Sequence, residues 1–165
     1  MQYIIAVVSL LVTIRTISSA TDVDKCTDLL GPREGTYGSA TIQDVRISDC
    51  PDSPCRLRKG GETTIQFDFK PDRPYDKLTT NVFGGIGIIR VPFREVHGIN
   101  ACKDIQRKRD GKKGCPLETN EVYTYSNTFR IHKSYPAVSV NVQYGLNDGK
   151  DSVVCFTLPA KITNV

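Results

Sequence analysis

The sequence predicts an all-β protein, an immunoglobulin-like antiparallel β-sandwich. Apolar residues recur at period two, helical periodicity is scarce, and turn-forming residues separate the alternating runs. No internal repeat is present.

Each run carries the pattern of a half-buried strand. In "TIQDVRI", Val45 and Ile47 share one face. In "TIQFDFK", Ile65, Phe67 and Phe69 alternate with Gln66 and Asp68. "VYTYSNTFRI" alternates less cleanly through Tyr123, Tyr125, Phe129 and Ile131. "AVSVNVQYGL" is the clearest, with Val138, Val140, Val142, Tyr144 and Leu146 opposite Ser139, Asn141 and Gln143. A closing strand, "DSVVCFTLPAKITNV", keeps Val154, Phe156 and Leu158 in phase. "LNDGK" is an Asp-Gly hairpin signal between the last two runs. "KPDRPYD" breaks the middle of the chain. About seven strands without a helix suit a sandwich. The chain has no Trp, and its cysteines fall in loops and at the ends, so the core disulfide of immunoglobulins is not expected.

The N-terminus sets the compartment. "MQYIIAVVSLLVTIRTISSA" has an apolar stretch from Ile4 to Ile14 and ends in Ser18-Ser19-Ala20, small residues of the kind a signal peptidase reads. It is shorter than the roughly 20 apolar residues of a membrane span. Residues 1–20 are therefore expected to be a cleaved signal, and 21–165 a single secreted domain. Loss of Arg15 lowers the formal charge from +4 to +3, which identifies no partner class. No N-x-S/T sequon occurs, so sorting by an N-glycan is not expected.

All six cysteines follow the signal, and an even count in a secreted chain favours disulfides throughout. Sequence proximity suggests Cys50–Cys55 and Cys102–Cys115, leaving Cys26–Cys155 to tie the ends together. In the chain-entropy model so long a loop contributes about 5 kcal/mol.

Two segments fit a tightly packed sandwich poorly. "NVFGGIGIIRVPF", Asn81 to Phe93, is nearly all apolar but contains Gly84, Gly85 and Gly87. It reads either as a buried strand with a bulge or as a strand lining an apolar cavity where glycine leaves room. The loop from Cys102 to Cys115 carries Lys103, Arg107, Lys108, Arg109, Lys112 and Lys113 against Asp104 and Asp110. It is either a solvated loop or a transient contact to a membrane or receptor. Nucleic acid is not expected, because no aromatics interleave the charge.

Catalytic chemistry is nearly absent. His97 and His132 lie in no nucleophile or metalloprotease motif and read as surface residues. The C-x4-C of "CPDSPC" has no second zinc-spaced pair and is not the C-x-x-C of a redox enzyme. No enzyme activity, metal or cofactor is expected.

The motifs together resemble the ML-type lipid-recognition domain, most closely the Niemann–Pick type C-two group of secreted sterol-binding proteins. The elements that carry the resemblance are Cys26, "CPDSPCRLRKG", "VPF", "GCP", "VYTY", "YPAVSVNVQYGLND" and "CFTLPAKI". The resemblance implies the same three disulfides, an apolar cavity between the two sheets, and no catalysis. It implies a ligand lining of Ile65, Val82, Ile86, Val91, Phe93, Tyr125, Phe129, Ile131, Tyr135 and Tyr144. Phe93, Ile131 and Tyr135 would frame the entrance. Relatives commonly carry Trp in place of Tyr144 and Phe156 and a larger aliphatic in place of Gly85. Arg90 and Arg94 flank "VPF" and either meet an anionic ligand or face solvent. The implied function is a secreted, monomeric carrier of a sterol or similar lipid. Alternatives are an innate-immune protein recognising a microbial lipid, a fatty-acid or semiochemical carrier, and residence in the lysosomal lumen.

Overall fold

The computed structural model describes residues 20–26 and 38–164. The predicted signal, apart from Ala20, lies outside the described residues. The strands are β1 (Asp24–Lys25), β2 (Thr41–Ile47), β3 (Cys55–Arg58), β4 (Glu62–Lys70), β5 (Thr79–Ile86), β6 (Ile89–Pro92), β7 (Ile105–Arg107), β8 (Tyr123–Arg130), β9 (Ser139–Asn147) and β10 (Ser152–Thr163). A 3-10 turn, Cys102–Asp104, precedes β7.

They form two sheets. One runs β1-β10-β9-β5-β6, with β3 also on β10; the other runs β2-β4-β8-β7. Every pairing is antiparallel except β3 on β10. The five long alternating runs all form strands. The strands beyond the expected seven include β1, β3 and β7, too short to display a period. The glycine-rich segment is a hairpin rather than one strand. Gly87, at φ +58°, turns β5 into β6, a backbone conformation costly for residues with a Cβ.

The interior is stacked in layers set by strand register. Val82, Tyr144 and Phe156 align across the first sheet. Phe67 and Tyr125 align across the second. The two sets meet as an aromatic layer, with Phe67 stacked on Tyr125 at 4.9 Å and edge-on to Phe156 at 5.4 Å. One step along, Gly84, Val142 and Leu158 align in one sheet, and Ile47, Ile65 and Asn127 in the other. Small and aliphatic side chains replace rings there, so the two sheets fill less of the space between them.

The three disulfides are Cys26–Cys155, Cys50–Cys55 and Cys102–Cys115. Cys26–Cys155 joins β1 to β10 within one sheet. Cys50–Cys55 ties the segment after β2, in one sheet, to the start of β3, in the other. It staples the edge where β2 faces β3. No disulfide among the described residues joins β6 to β8 on the opposite edge.

One carboxylate organises the outer face of the second sheet. Asp68 on β4 is buried and accepts from Lys108 Nζ at 2.8 Å and Thr124 Oγ1 at 2.6 Å. Arg46 Nη2 on β2 approaches it at 3.4 Å. Arg46 also pairs with Asp44, the extra residue of a bulge in β2. Burial pushes the Asp68 carboxyl up, but the bonds from Lys108 and Thr124 and the two cationic charges outweigh it and hold it below the usual carboxylate range.

A carboxyl lowered in the folded state stabilises the protein fully above its unfolded value, about 3.9, and loses that contribution as pH falls toward the folded value. Asp68→Asn should cost about 2 kcal/mol at neutral pH, the scale of a charge-assisted hydrogen bond. Urea unfolding should show this loss shrinking at about pH 3. An equal loss at both pH values would contradict the assignment.

Candidate functional site

Two apolar spaces lie at the β6/β8 edge. The inner one is a cavity of about 20 Å³ between the sheets, lined among others by Ile47, Ile65, Val82, Phe129, Val142 and Tyr144. The outer one is a groove of about 80 Å³ open to solvent, lined among others by Gly84, Ile86, Val91, Tyr135, Val140 and Ile162. Phe93 is the residue common to both linings.

Phe93 therefore acts as the partition. Its ring is 5% exposed and lies against Gly84, where an added Cβ would meet Cε2 at 3.0 Å. Gly84 is the position where glycine makes room, as the cavity reading of that segment required. Tyr135 packs edge-on to Phe93 at 5.5 Å, and Phe129 at 6.5 Å. The edge between β6 and β8 is thus closed here by rings rather than by covalent bonds.

The ten residues expected to line a ligand fall into three groups. Ile65, Val82, Phe93, Phe129 and Tyr144 line the cavity. Ile86, Val91, Phe93 and Tyr135 line the groove. Tyr125 and Ile131 are fully buried and line neither. Tyr125 stands behind Tyr144, and the two hydroxyls are 2.8 Å apart. Sequence reasoning missed Ile47, Leu57, Val142 and Leu158 in the cavity, and Val140 and Ile162 in the groove. All but Leu57 sit in phase within runs already read as strands, so alternation alone could have found them.

The flanking charges face away from these spaces. Arg90 lies over the outer face of Phe83 at 4.6 Å and donates to Gln143 Oε1 at 2.6 Å. Arg94 is exposed, and its backbone N–H donates to Tyr135 Oη at 3.2 Å. His132 is exposed as expected, but His97 is half-buried against Phe83, with Nδ1 3.1 Å from the Val82 N–H.

The Cys102–Cys115 loop stands elsewhere. Arg107 pairs in register with Tyr123, the end of β8 remote from Phe129, about 20 Å along the strand. Arg107 is buried in ion pairs with Asp110 and Glu118, each at 2.9 Å. Lys108 is committed to Asp68, and Arg109 to Glu121 at 3.1 Å. Lys103, Lys112 and Lys113 form no ion pair among the described residues.

Exposed large hydrophobic residues cluster instead on the β5–β6 hairpin. Ile88 is 85% exposed and Ile89 61%, with Ile86 and Val91 beside them at the groove. Among the described residues no group of His, Cys, Asp or Glu is placed to hold a metal ion, and no helix is long and apolar enough to cross a membrane.

Comparison with known proteins places this geometry. An "Ecdysteroid-regulated 16 kDa protein" of Manduca sexta is 34% identical over 125 residues, covering 74% of this chain and 81% of its own. "NPC intracellular cholesterol transporter 2" of Mus musculus is 30% identical, covering 74% and 78%. A solved Niemann-Pick type C2 protein from Japanese carpenter ant superposes with a TM-score of 0.64 at 25% identity, covering 76% of this chain and 93% of that one. The ML domain family matches residues 20–162, and with the sandwich, the three disulfides and these relatives, the chain belongs to the ML domain family.

Proposed function

We propose that the protein is a secreted, non-enzymatic carrier that takes a sterol between its two sheets. The observation that carries this reading is Phe93, one ring separating an open apolar groove from an apolar inner cavity. Swinging that ring off Gly84 joins the two spaces. Neither alone approaches the roughly 300–1,000 Å³ that encloses a small-molecule ligand. Uptake therefore requires the sheets to part at the β6/β8 edge, while Cys50–Cys55 holds the opposite edge as a hinge. Enclosing the ligand supplies the drive, at about 25 cal/mol per Å² of apolar surface removed from water.

A flat, nearly all-apolar ligand suits such a slot, and the mouse relative is named a cholesterol transporter. Three disulfides and the predicted signal support secretion to extracellular fluid. The β5–β6 hairpin is the surface we assign to membrane contact. Its isoleucines stand exposed beside the groove, so a hairpin dipped among lipids sets the entrance against the bilayer. The Cys102–Cys115 loop, with three of its six basic residues in ion pairs, is left as a contact for a soluble partner or receptor.

Titration with a fluorescent sterol should saturate at one molecule per chain. Phe93→Ala and Tyr135→Ala should each weaken binding by about tenfold or more while the chain stays folded, since each deletes an aromatic wall. Full affinity in both variants would remove the site from this edge. In a vesicle-to-vesicle transfer assay, Ile88→Asp with Ile89→Asp should slow transfer by about tenfold and leave equilibrium affinity unchanged, because both side chains lie outside the cavity. An unchanged transfer rate would show that the hairpin does not dock.

A further inference from the structure

The strands of the two sheets carry charge differently. Those of the second sheet hold Arg46, Lys70, Arg107 and Arg130. Arg46 pairs with Asp44 and Asp68, Arg107 with Asp110 and Glu118, and Arg130 with Glu62. The strands of the first sheet hold Lys25, Arg56, Arg58, Arg90 and Lys161 against one carboxylate, Asp24. None of these five cations forms an ion pair among the described residues.

Strand register puts four of the five on the outer face. Val140, Val142 and Tyr144 point into the sandwich, so Ser139, Asn141 and Gln143 point out. Lys161 aligns with Ser139 on one side and Arg56 on the other, and all three are exposed. Arg58, also exposed, follows two residues along β3. Arg90 aligns with Gly85, and Gly85 with Asn141. The cations form a band across β6, β5, β9, β10 and β3, about 19 Å wide at about 4.8 Å per strand. Asp24 stands apart: it aligns with Thr157, about 13 Å along β10 from Lys161.

The surface between the cations is low and polar. Ser139 and Asn141 are exposed there. A Cβ added to Gly85 would meet only the Asn141 backbone oxygen, at 3.4 Å, so the band dips between Arg90 and Asn141. Arg90 donates once, to Gln143, and its guanidinium keeps further donors. At the β3 end, Arg56, Arg58 and Lys161 share a cleft of about 740 Å³ with Asp49, Asp52 and Glu62. None of these carboxylates is within ion-pair distance of the three cations, and they bound the band on that side.

What the face lacks selects its partner. The exposed large hydrophobic residues belong to the β5–β6 hairpin, so nothing on the band inserts into a bilayer. No ring is free to stack on a base, because Phe83 is covered by Arg90 and His97. We propose that the outer face of the first sheet binds a sulfated polysaccharide. Its sulfates sit on Arg90, Lys161, Arg56 and Arg58, where guanidinium groups can grip an oxyanion through paired N–H donors. Its hydroxyls meet Asn141 and Ser139. The band lies on the other side of the sheet from the cavity, so the proposal is independent of what the cavity holds.

Calorimetric titration with a size-defined heparin octasaccharide tests it. The chain should bind, with affinity falling steeply as salt rises. Arg56→Ala/Arg58→Ala/Lys161→Ala should weaken binding about tenfold or more, at up to about fivefold per exposed ion pair, and flatten the salt dependence. Lys103→Ala/Lys112→Ala/Lys113→Ala removes the same charge from the Cys102–Cys115 loop and should change affinity by less than about twofold, distant charges being screened. Both variants should keep the parent's thermal midpoint, since all six side chains are exposed. Heparin stripped of its sulfates should not bind. Absence of heparin binding, equal losses in the two triple variants, or undiminished binding of the desulfated chain would overturn the proposal. Tighter binding to phosphatidylserine vesicles than to heparin, lost in the first variant, would assign the face to a membrane and overturn it too.

Discussion

The contact between Phe93 and Gly84 is the constraint around which the interior is arranged. Two sheets with apolar inner faces must be filled, and side chains fill most of this sandwich. Rings do so in the layer of Phe67, Tyr125, Tyr144 and Phe156. In the next layer Gly84 has no side chain, and Phe93 enters from the end of β6 to cover the difference. A ring held by packing alone is a replaceable filling. The same position that closes the cavity is therefore the one through which it can be opened.

The mechanics around that position are asymmetric. On the edge where β2 faces β3, Cys50–Cys55 spans from one sheet to the other. The outer face of the second sheet is tied through Asp68, which reaches Arg46 and Thr124 on the strands either side of β4, and Lys108 just past β7. The Asp68 ties favour the second sheet moving as a unit. The β6/β8 edge near Phe93 has aromatic contacts in their place. In the proposed carrier, this edge is where the sheets part.

Much of this was legible in the sequence, for definite reasons. Alternation at period two located Ile65, Phe67 and Phe69 on the inner face, and the same rule placed Tyr144 and Leu146. Proximity alone suggested the pairing that joins Cys50 to Cys55 and Cys102 to Cys115. What was not legible depended on the third dimension. The hairpin within Asn81–Phe93 was hidden because both arms are apolar and only Gly87 marks the turn. The basic loop looked like free charge because three of its partners, Asp68, Glu118 and Glu121, lie outside it. The inward placement of Asn127 could not be seen at all. In sequence it breaks an alternating run, and only its register beside Ile65 puts a polar atom in the cavity layer.

The central claim is that a lipid displaces Phe93 and occupies the space between the sheets. A crystal structure of the protein with a bound sterol tests it most directly. The account predicts the Phe93 ring rotated away from Gly84 and the cavity merged with the groove. It also predicts sterol in contact with Val82, Phe129, Val142 and Tyr144. A sterol held on the outer surface, with Phe93 still packed on Gly84 and the inner cavity closed, would contradict it.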